Sequence, residues 1–198
     1  MQNLEPSPEM FNIQEVFHNK ISLVEQKVEQ KRIVVIDESQ RDFVYADKSM
    51  IEIVIQNLIT NAVKFSRVGD IITISNRSQN GNALICVEDT GVGIPESEID
   101  KIFAMYYQVD HPDHQSATGT GIGLAICKQM VDLMNGEIHV SSKEGKGTRF
   151  EIVLPVQISN SPMKVAQLQV TGLNILLVED IELNVMVAKA LLEKLGQK

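Results

Sequence analysis

Positions 57, 60, 61 and 64 hold Asn, Thr, Asn and Lys, and on a helix these four fall within a stripe of about 100°. The residues between them are largely Ile, Val and Leu. Asparagine is a poor helix former because its amide competes for the backbone, so two of them four apart in an apolar helix ask for a chemical reason. An amide offers an oxygen ligand and an N–H donor. Mg²⁺ prefers oxygen ligands that it shares with substrate phosphates, and a neutral amide holds it without repelling a polyphosphate. Lys64 adds a compensating charge. The alternative for the same four residues is an ordinary solvated helix face.

A second stretch, Gly119-Thr120-Gly121-Ile122-Gly123-Leu124, alternates glycine ahead of a helical apolar pattern over residues 122–134. Without Cβ the backbone admits positive φ, so successive N–H groups can converge on an anion where the helix dipole adds partial positive charge. Two better-known phosphate loops are excluded. A dinucleotide fingerprint needs a strand directly before its first glycine, whereas residues 111–118 are polar and contain Pro112. A P-loop continues Gly-Lys with Ser or Thr; here Gly145-Lys146 is followed by Gly147, and Val140 stands where the first glycine belongs.

The third stretch, Val87-Glu88-Asp89-Thr90-Gly91-Val92-Gly93-Ile94-Pro95, ends an apolar run with a carboxylate and then turns through two glycines. That aims Asp89 from a strand end into a cleft. A carboxylate accepts from the exocyclic amine of adenine and repels the carbonyl oxygen of guanine, which favours ATP over GTP. The alternative is a strand-end Asp that caps its own turn.

The elements that must position these groups follow from periodicity. Residues 1–10 read as a frayed lead; Ile13, Phe17, Ile21, Val24 and Val28 then repeat at helical spacing and predict a first helix. Residues 33–36 read as a buried strand, and Asp47 or Ser49 as the cap of a helix over 50–65. Residues 71–76 and 83–88 flank Gln79-Asn80-Gly81 as a hairpin, Asn135-Gly136 supplies a left-handed stop, and 137–140 with 148–154 make another strand pair. The expected class is α/β, a two-layer sandwich with a mixed, mostly antiparallel sheet and helices on one face. Residues 156–172 read as a linker; 174–178 and 185–195 read as the strand and helix that begin a second domain, expected to be loosely held or parked on the main domain.

Of 198 residues, 43% are hydrophobic and 22% charged, which suits one domain of ordinary size plus a further segment. A net charge of −8 argues against nucleic acid as principal ligand, so any phosphate is held locally. No apolar run approaches the roughly 18 residues of a bilayer span and no signal peptide is recognisable, so a cytoplasmic fragment without membrane contact is expected. Cys86 and Cys127 form no Cys-x-x-Cys pair and imply a reducing compartment.

Together, the Asn57 to Lys64 stripe, Asp89-Thr90-Gly91-Val92-Gly93, Ile102-Phe103 and the run from Gly119 to Leu124 resemble, in order and spacing, the N, G1, F and G2 boxes of sensor histidine kinases. Gly145-Lys146-Gly147-Thr148-Arg149-Phe150 is similar to the segment that closes the same domain, so the resemblance covers residues 11–155. It implies the histidine-kinase ATPase (GHKL) sandwich, ATP and Mg²⁺ as cofactors, Asn61 as main metal ligand with Asn57 beside it, and Lys64 as a phosphate contact. Asp89 becomes the adenine reader, with Gly91, Gly93, Ile94, Tyr107 and Thr148 on the adenine side. Gly119, Thr120, Gly121, Ile122, Gly123 and Leu124 carry the phosphates. Residues 173–198, with Val178-Glu179-Asp180, look like the first strand and acidic pair of a response-regulator receiver, which makes the parent a hybrid kinase, expected to be a membrane-anchored homodimer.

Such kinases phosphorylate a histidine in a His-Glu context on a separate dimerisation domain, and His18, His111, His114 and His139 have no such neighbour. The expected partners are therefore that histidine-bearing domain and a receiver domain or response regulator. Met105 and Gln108 stand where many members carry arginines. Asp110-His111-Pro112-Asp113-His114 is read as part of a lid over the nucleotide rather than a zinc site. Two alternatives remain: a hydrolase of the same fold, as in gyrase or the Hsp90 chaperones, and a nucleotide-sensing module without kinase activity. The hydrolases place a water-activating glutamate where this chain has Asn57.

Overall fold

The computed structural model describes residues 6–109, 120–156 and 158–159. All of these belong to the first of two compact units, Met1–Met163; the second, Lys164–Lys198, lies outside the described residues, as do the expected linker beyond residue 159, the start of a receiver, and the lid segment 110–119.

The helix that carries the amide stripe is built as the pattern requires. Designated α3 (Lys48–Phe65), it follows β1 (Glu9–Asn12), α1 (Ile13–Ser22), α2 (Glu25–Gln30), β2 (Val34–Asp37) and β3 (Phe43–Ala46). Of the two candidate caps, Asp47 does the work, its Oδ1 accepting the Met50 N–H at 2.9 Å. Met50, Ile51, Val54, Ile55, Leu58, Ile59, Ala62 and Val63 are buried, spaced three and four apart, which turns Asn57, Thr60, Asn61 and Lys64 to a half-buried flank.

The hairpin of β4 (Ile71–Gln79) and β5 (Asn82–Asp89) closes through Asn80 and Gly81 at φ 52° and 81°, the left-handed pair that matches the twist of the strands. After α4 (Gly123–Leu133), Asn135 at φ 56° ends the helix and the chain returns as β6 (Glu137–Lys143) and β7 (Gly147–Leu154). The main sheet runs β2-β4-β5-β7-β6, parallel only between β2 and β4. One face packs Ile72, Ile74, Ile85, Val87, Phe150, Ile152 and Leu154 into a core shared with α1, α3 and α4. The opposite face carries an ion network in which Arg149 meets Glu88 at 2.9 Å and Glu151 at 2.8 Å, and Arg77 meets Glu151 at 3.2 Å. Cys86 and Cys127 are free thiols, both buried.

Three expectations change. The lead is not frayed to residue 10: Glu9 and Met10 already pair with Ala46 and Tyr45 in a second sheet, β1-β3-β8, whose last strand β8 is Ile158–Ser159. The first helix is two, because Ser22 bends its hydroxyl back to the Asn19 carbonyl at 2.8 Å and Val24 takes a non-helical φ of −113°. The strand at 33–36 is an edge: Val34 is 52% and Ile36 39% exposed, because among the described residues β2 has a neighbour on one side only. A β-branched run requires an extended chain, not a buried one.

Candidate functional site

Asp89 is the last residue of β5 and is buried, 7% exposed. Its Oδ1 accepts the Gly91 N–H at 2.9 Å, and the carboxylate also accepts the Thr148 N–H. These bonds favour the ionised form, but burial outweighs them and, with the nearby Asp70 and Glu88 charges, pushes the carboxyl up to about 6. The following loop wedges between α3 and the β6–β7 hairpin. At Gly91 a Cβ would lie 2.4 Å from the Phe65 carbonyl oxygen, and at Gly93, with φ 71°, 2.1 Å from that of Lys143. No side chain fits at either position.

Thr148, across the β5–β7 pairing from Asp89, is 7% exposed and its hydroxyl lies 2.9 Å from Ser142 Oγ. Ser142 donates to the Gly147 carbonyl at 2.8 Å and accepts the Ile94 N–H at 2.8 Å. Its one proton is thus committed, so Thr148 must donate to it. Ser142 was not singled out by the sequence; it looks like any alternating strand residue, and only the Ser142–Thr148 register brings the two hydroxyls together. Ile94 is half-buried beside them.

On α3, Asn57 donates Nδ2 to the Ile53 carbonyl at 2.9 Å, which leaves its Oδ1 directed at the start of α4. A Cβ on Gly123, the first residue of α4, would stand 2.7 Å from that oxygen. One turn on, Asn61 and Thr60 are half-buried, and Thr60 accepts from Gln56 Nε2 at 3.0 Å. Lys64 Nζ sits 4.8 Å from the centre of the Phe65 ring, and partial burial holds its pKa below the ordinary lysine range.

Gly121, at φ 67°, has its carbonyl bonded by the Tyr106 N–H at 2.8 Å, and a Cβ there would lie 2.7 Å from the Tyr106 backbone. Tyr106 itself is held at φ 64°, a left-handed conformation rare for an aromatic residue. Thr120 is exposed, Ile122 is the N-terminal flanking residue of α4, and Leu124 is half-buried against the core. Among the described residues no side chain caps α4, so its first N–H groups keep the donor capacity that suits an anion. Tyr107 donates its hydroxyl to Glu98, and Gly119 lies outside the described residues.

The structure thus brings Asn57, on α3, against Gly123 at the start of α4, sets Gly121 on the Tyr106 backbone instead, and separately gathers Asp89, Gly91, Gly93, Ile94 and Thr148 around the loop after β5. The two groups meet where the Phe65 carbonyl accepts the Val92 N–H at 3.2 Å. A hollow of about 330 Å³ lined by Lys20, Ser49, Glu52, Ile53, Gln56 and Asn57 touches this arrangement only at Asn57. Among the described residues no three His, Cys, Asp or Glu side chains cluster as metal ligands. Amide oxygens on α3 are the donors on offer, and they fit a hard cation that shares its shell with phosphate oxygens.

Residues 46–158 match the family described as histidine kinase-, DNA gyrase B-, and HSP90-like ATPase. The aerobic respiration control sensor protein ArcB of Escherichia coli K12 is 45% identical over 159 residues, covering 77% of this chain and 20% of that protein. The autoinducer 2 sensor kinase/phosphatase LuxQ of Vibrio cholerae is 34% identical over 165 residues, with 77% and 19% covered. The chain therefore spans about one fifth of the length of these curated relatives. Among solved structures, the mycobacterial sensor histidine kinase MprB superposes with a TM-score of 0.67 at 26% identity over 76% of this chain and 99% of that one. The Acinetobacter baumannii histidine kinase AdeS gives 0.64 at 27% identity over 77% and 69%. On the match over 46–158 and the sandwich that carries it, this chain belongs to the histidine kinase-, DNA gyrase B-, and HSP90-like ATPase family.

Proposed function

We propose that this chain is the catalytic ATP-binding domain of a two-component sensor histidine kinase, which binds Mg-ATP and donates the γ-phosphoryl group to a histidine on a separate helical dimerisation domain. One observation carries the reading: a buried carboxylate, Asp89, and an amide-bearing helix face, Asn57 to Lys64, stand at the two sides of one loop, with the uncapped start of α4 against Asn57. Asp89 accepts the adenine amine, with Gly91, Gly93, Ile94, Tyr107 and Thr148 around the base, and Thr148 keeps a lone pair free because its proton goes to Ser142. The α4 N–H groups from Ile122 to Leu124, with Gly119, Thr120 and Gly121 ahead of them, hold the phosphates. Asn61 and Asn57 would hold the metal by their amide oxygens, and Lys64 would contact a phosphate oxygen. When bound, Mg²⁺ would supply charge neutralisation to the polyphosphate. Positioning and electrostatics then suffice, because phosphoryl transfer asks little covalent chemistry of the protein.

The hydrolase reading is weaker, because water attack needs a general base and position 57 holds a neutral amide. A need for ATP favours a cytoplasmic location, and relatives named as a sensor protein and a sensor kinase/phosphatase support a parent sensor kinase; the same reading makes that parent a homodimer with a response regulator or receiver downstream. The experiment mixes this chain with its histidine-bearing domain and γ-labelled ATP. Acid-labile, base-stable label on that domain is expected; free phosphate alone would mean a hydrolase, and neither product a nucleotide sensor.

A further inference from the structure

Lys31 follows α2 and reaches across to the end of α3. Its ammonium donates to three backbone carbonyls, those of Val63 at 2.8 Å, Lys64 at 2.9 Å and Ser66 at 2.8 Å. The carbonyls of a last helical turn have no partner within the helix. Here the neighbours are also taken: Ala62 accepts from both the N–H and the hydroxyl of Ser66, and Phe65 accepts from Val92. The Lys31 carbonyl in turn accepts the Gly69 N–H at 3.0 Å, so the segment leaving α3 is tied to the same residue. An ammonium has three protons, and all three are spent on this one turn. Lysine also suits the negative end of the helix dipole, where no neutral donor gains as much.

That turn is the meeting point of the site. It carries Lys64, its Phe65 carbonyl abuts Gly91 and Val92 of the loop that leaves Asp89, and Asn61 lies one turn back. We infer that Lys31 is a positioning residue for the nucleotide, which fixes the spacing between the phosphate-side groups of α3 and the base-side carboxylate Asp89. The inference rests on the ATP-binding reading. Lys31 acts through the backbone of α3, because all its N–H groups are committed to carbonyls there. Asp89 is held by its own bonds from the Gly91 and Thr148 N–H groups, so loss of Lys31 is expected to displace the phosphate side more than the base side.

The test compares adenosine with Mg-ATP by calorimetry on the wild-type chain and on Lys31→Met, Lys31→Gln and Lys31→Arg, at a temperature where circular dichroism shows each folded. Losing the charged donor is expected to weaken Mg-ATP about tenfold and adenosine less than about twofold, with Lys31→Arg recovering most of the loss. A lysine that serves only stability would lower Tm and leave the ratio of the two affinities unchanged, which overturns the inference. If Lys31→Met does not fold, the same ratio measured on Lys31→Gln decides. A wild-type chain that binds neither ligand overturns the ATP reading itself, whereas one that binds both while Lys31→Gln keeps its ratio overturns the role of Lys31 alone.

Discussion

Asp89 is where a single residue makes the site testable by pH. Its carboxyl is raised to about 6 by burial, reinforced by Asp70 and Glu88, so the fold favours the neutral form, whereas the proposed adenine contact would favour the ionised one. A raised carboxyl contributes stability that is fully present below its unfolded pKa near 4 and is lost as pH rises through about 6. Removing the charge should therefore stabilise the empty protein: the Tm of Asp89→Asn minus that of wild type should grow between about pH 4.5 and 6.5 and then level off, with a ceiling on the order of 3 kcal/mol. Adenosine affinity should move the other way, falling in wild type as pH drops through about 6, and remaining flat but about ten- to hundredfold weaker in Asp89→Asn. Calorimetry across that range checks both limbs, and a variant that binds as tightly as wild type removes Asp89 from base recognition. The carboxylate was legible in the sequence because a strand end, an acid and two glycines leave few conformations. Ser142 and Lys31 were not, since one serine in an alternating strand and one lysine after a helix carry no local signal; their roles arise from partners six and more than thirty residues away.

At the scale of elements, the amide face of α3 works only if α4 begins against it. Gly123 and Gly91 both exclude a methyl group, for different reasons. At Gly123 the obstacle is the end of the Asn57 side chain, which can rotate; at Gly91 it is the Phe65 carbonyl, which cannot. Gly123→Ala should then leave Tm little changed, because the obstacle is a side-chain end that can turn away, while Mg-ATP binding weakens about tenfold through the displaced amide. Gly91→Ala should lose about 2 kcal/mol or more of stability, because the loop or the helix end must shift. Thermal melts paired with calorimetry separate the two, and similar Tm losses in both variants would contradict this account. The same contrast explains what the sequence could tell about elements. Capping, burial period and the Asn80-Gly81 turn are local, so α3 and the β4–β5 hairpin were legible. The bend after Ser22, the exposure of β2 and the existence of β3 depend on what packs beside them, which periodicity does not contain.

At the scale of the whole unit, the decisive property is that the groups proposed for the base and those proposed for the phosphates come from different elements, packed on one core, whose ends meet at one loop. β5 delivers Asp89, α3 and α4 deliver the amides and the free N–H groups, and between them the Phe65 carbonyl takes the Val92 N–H. A ligand that spans both sides must then add its binding energy to the folded state. At one hundred times its dissociation constant, Mg-ATP should contribute about 2.7 kcal/mol, which for a unit of 163 residues corresponds to a rise in Tm of roughly 5–10 °C. GTP offers the same phosphates but meets Asp89 with a carbonyl oxygen, so at equal concentration it should give a shift smaller by several degrees. Withholding Mg²⁺ should shrink the ATP shift, because the amides of Asn57 and Asn61 are neutral and the net charge of −8 leaves the phosphates without a distributed basic field to replace the ion. A thermal shift series with ATP, ADP and GTP, each with and without Mg²⁺, reads all three terms at once. Equal shifts for ATP and GTP would deny Asp89 its part, whereas an ATP shift indifferent to Mg²⁺ would deny the α3 amides theirs.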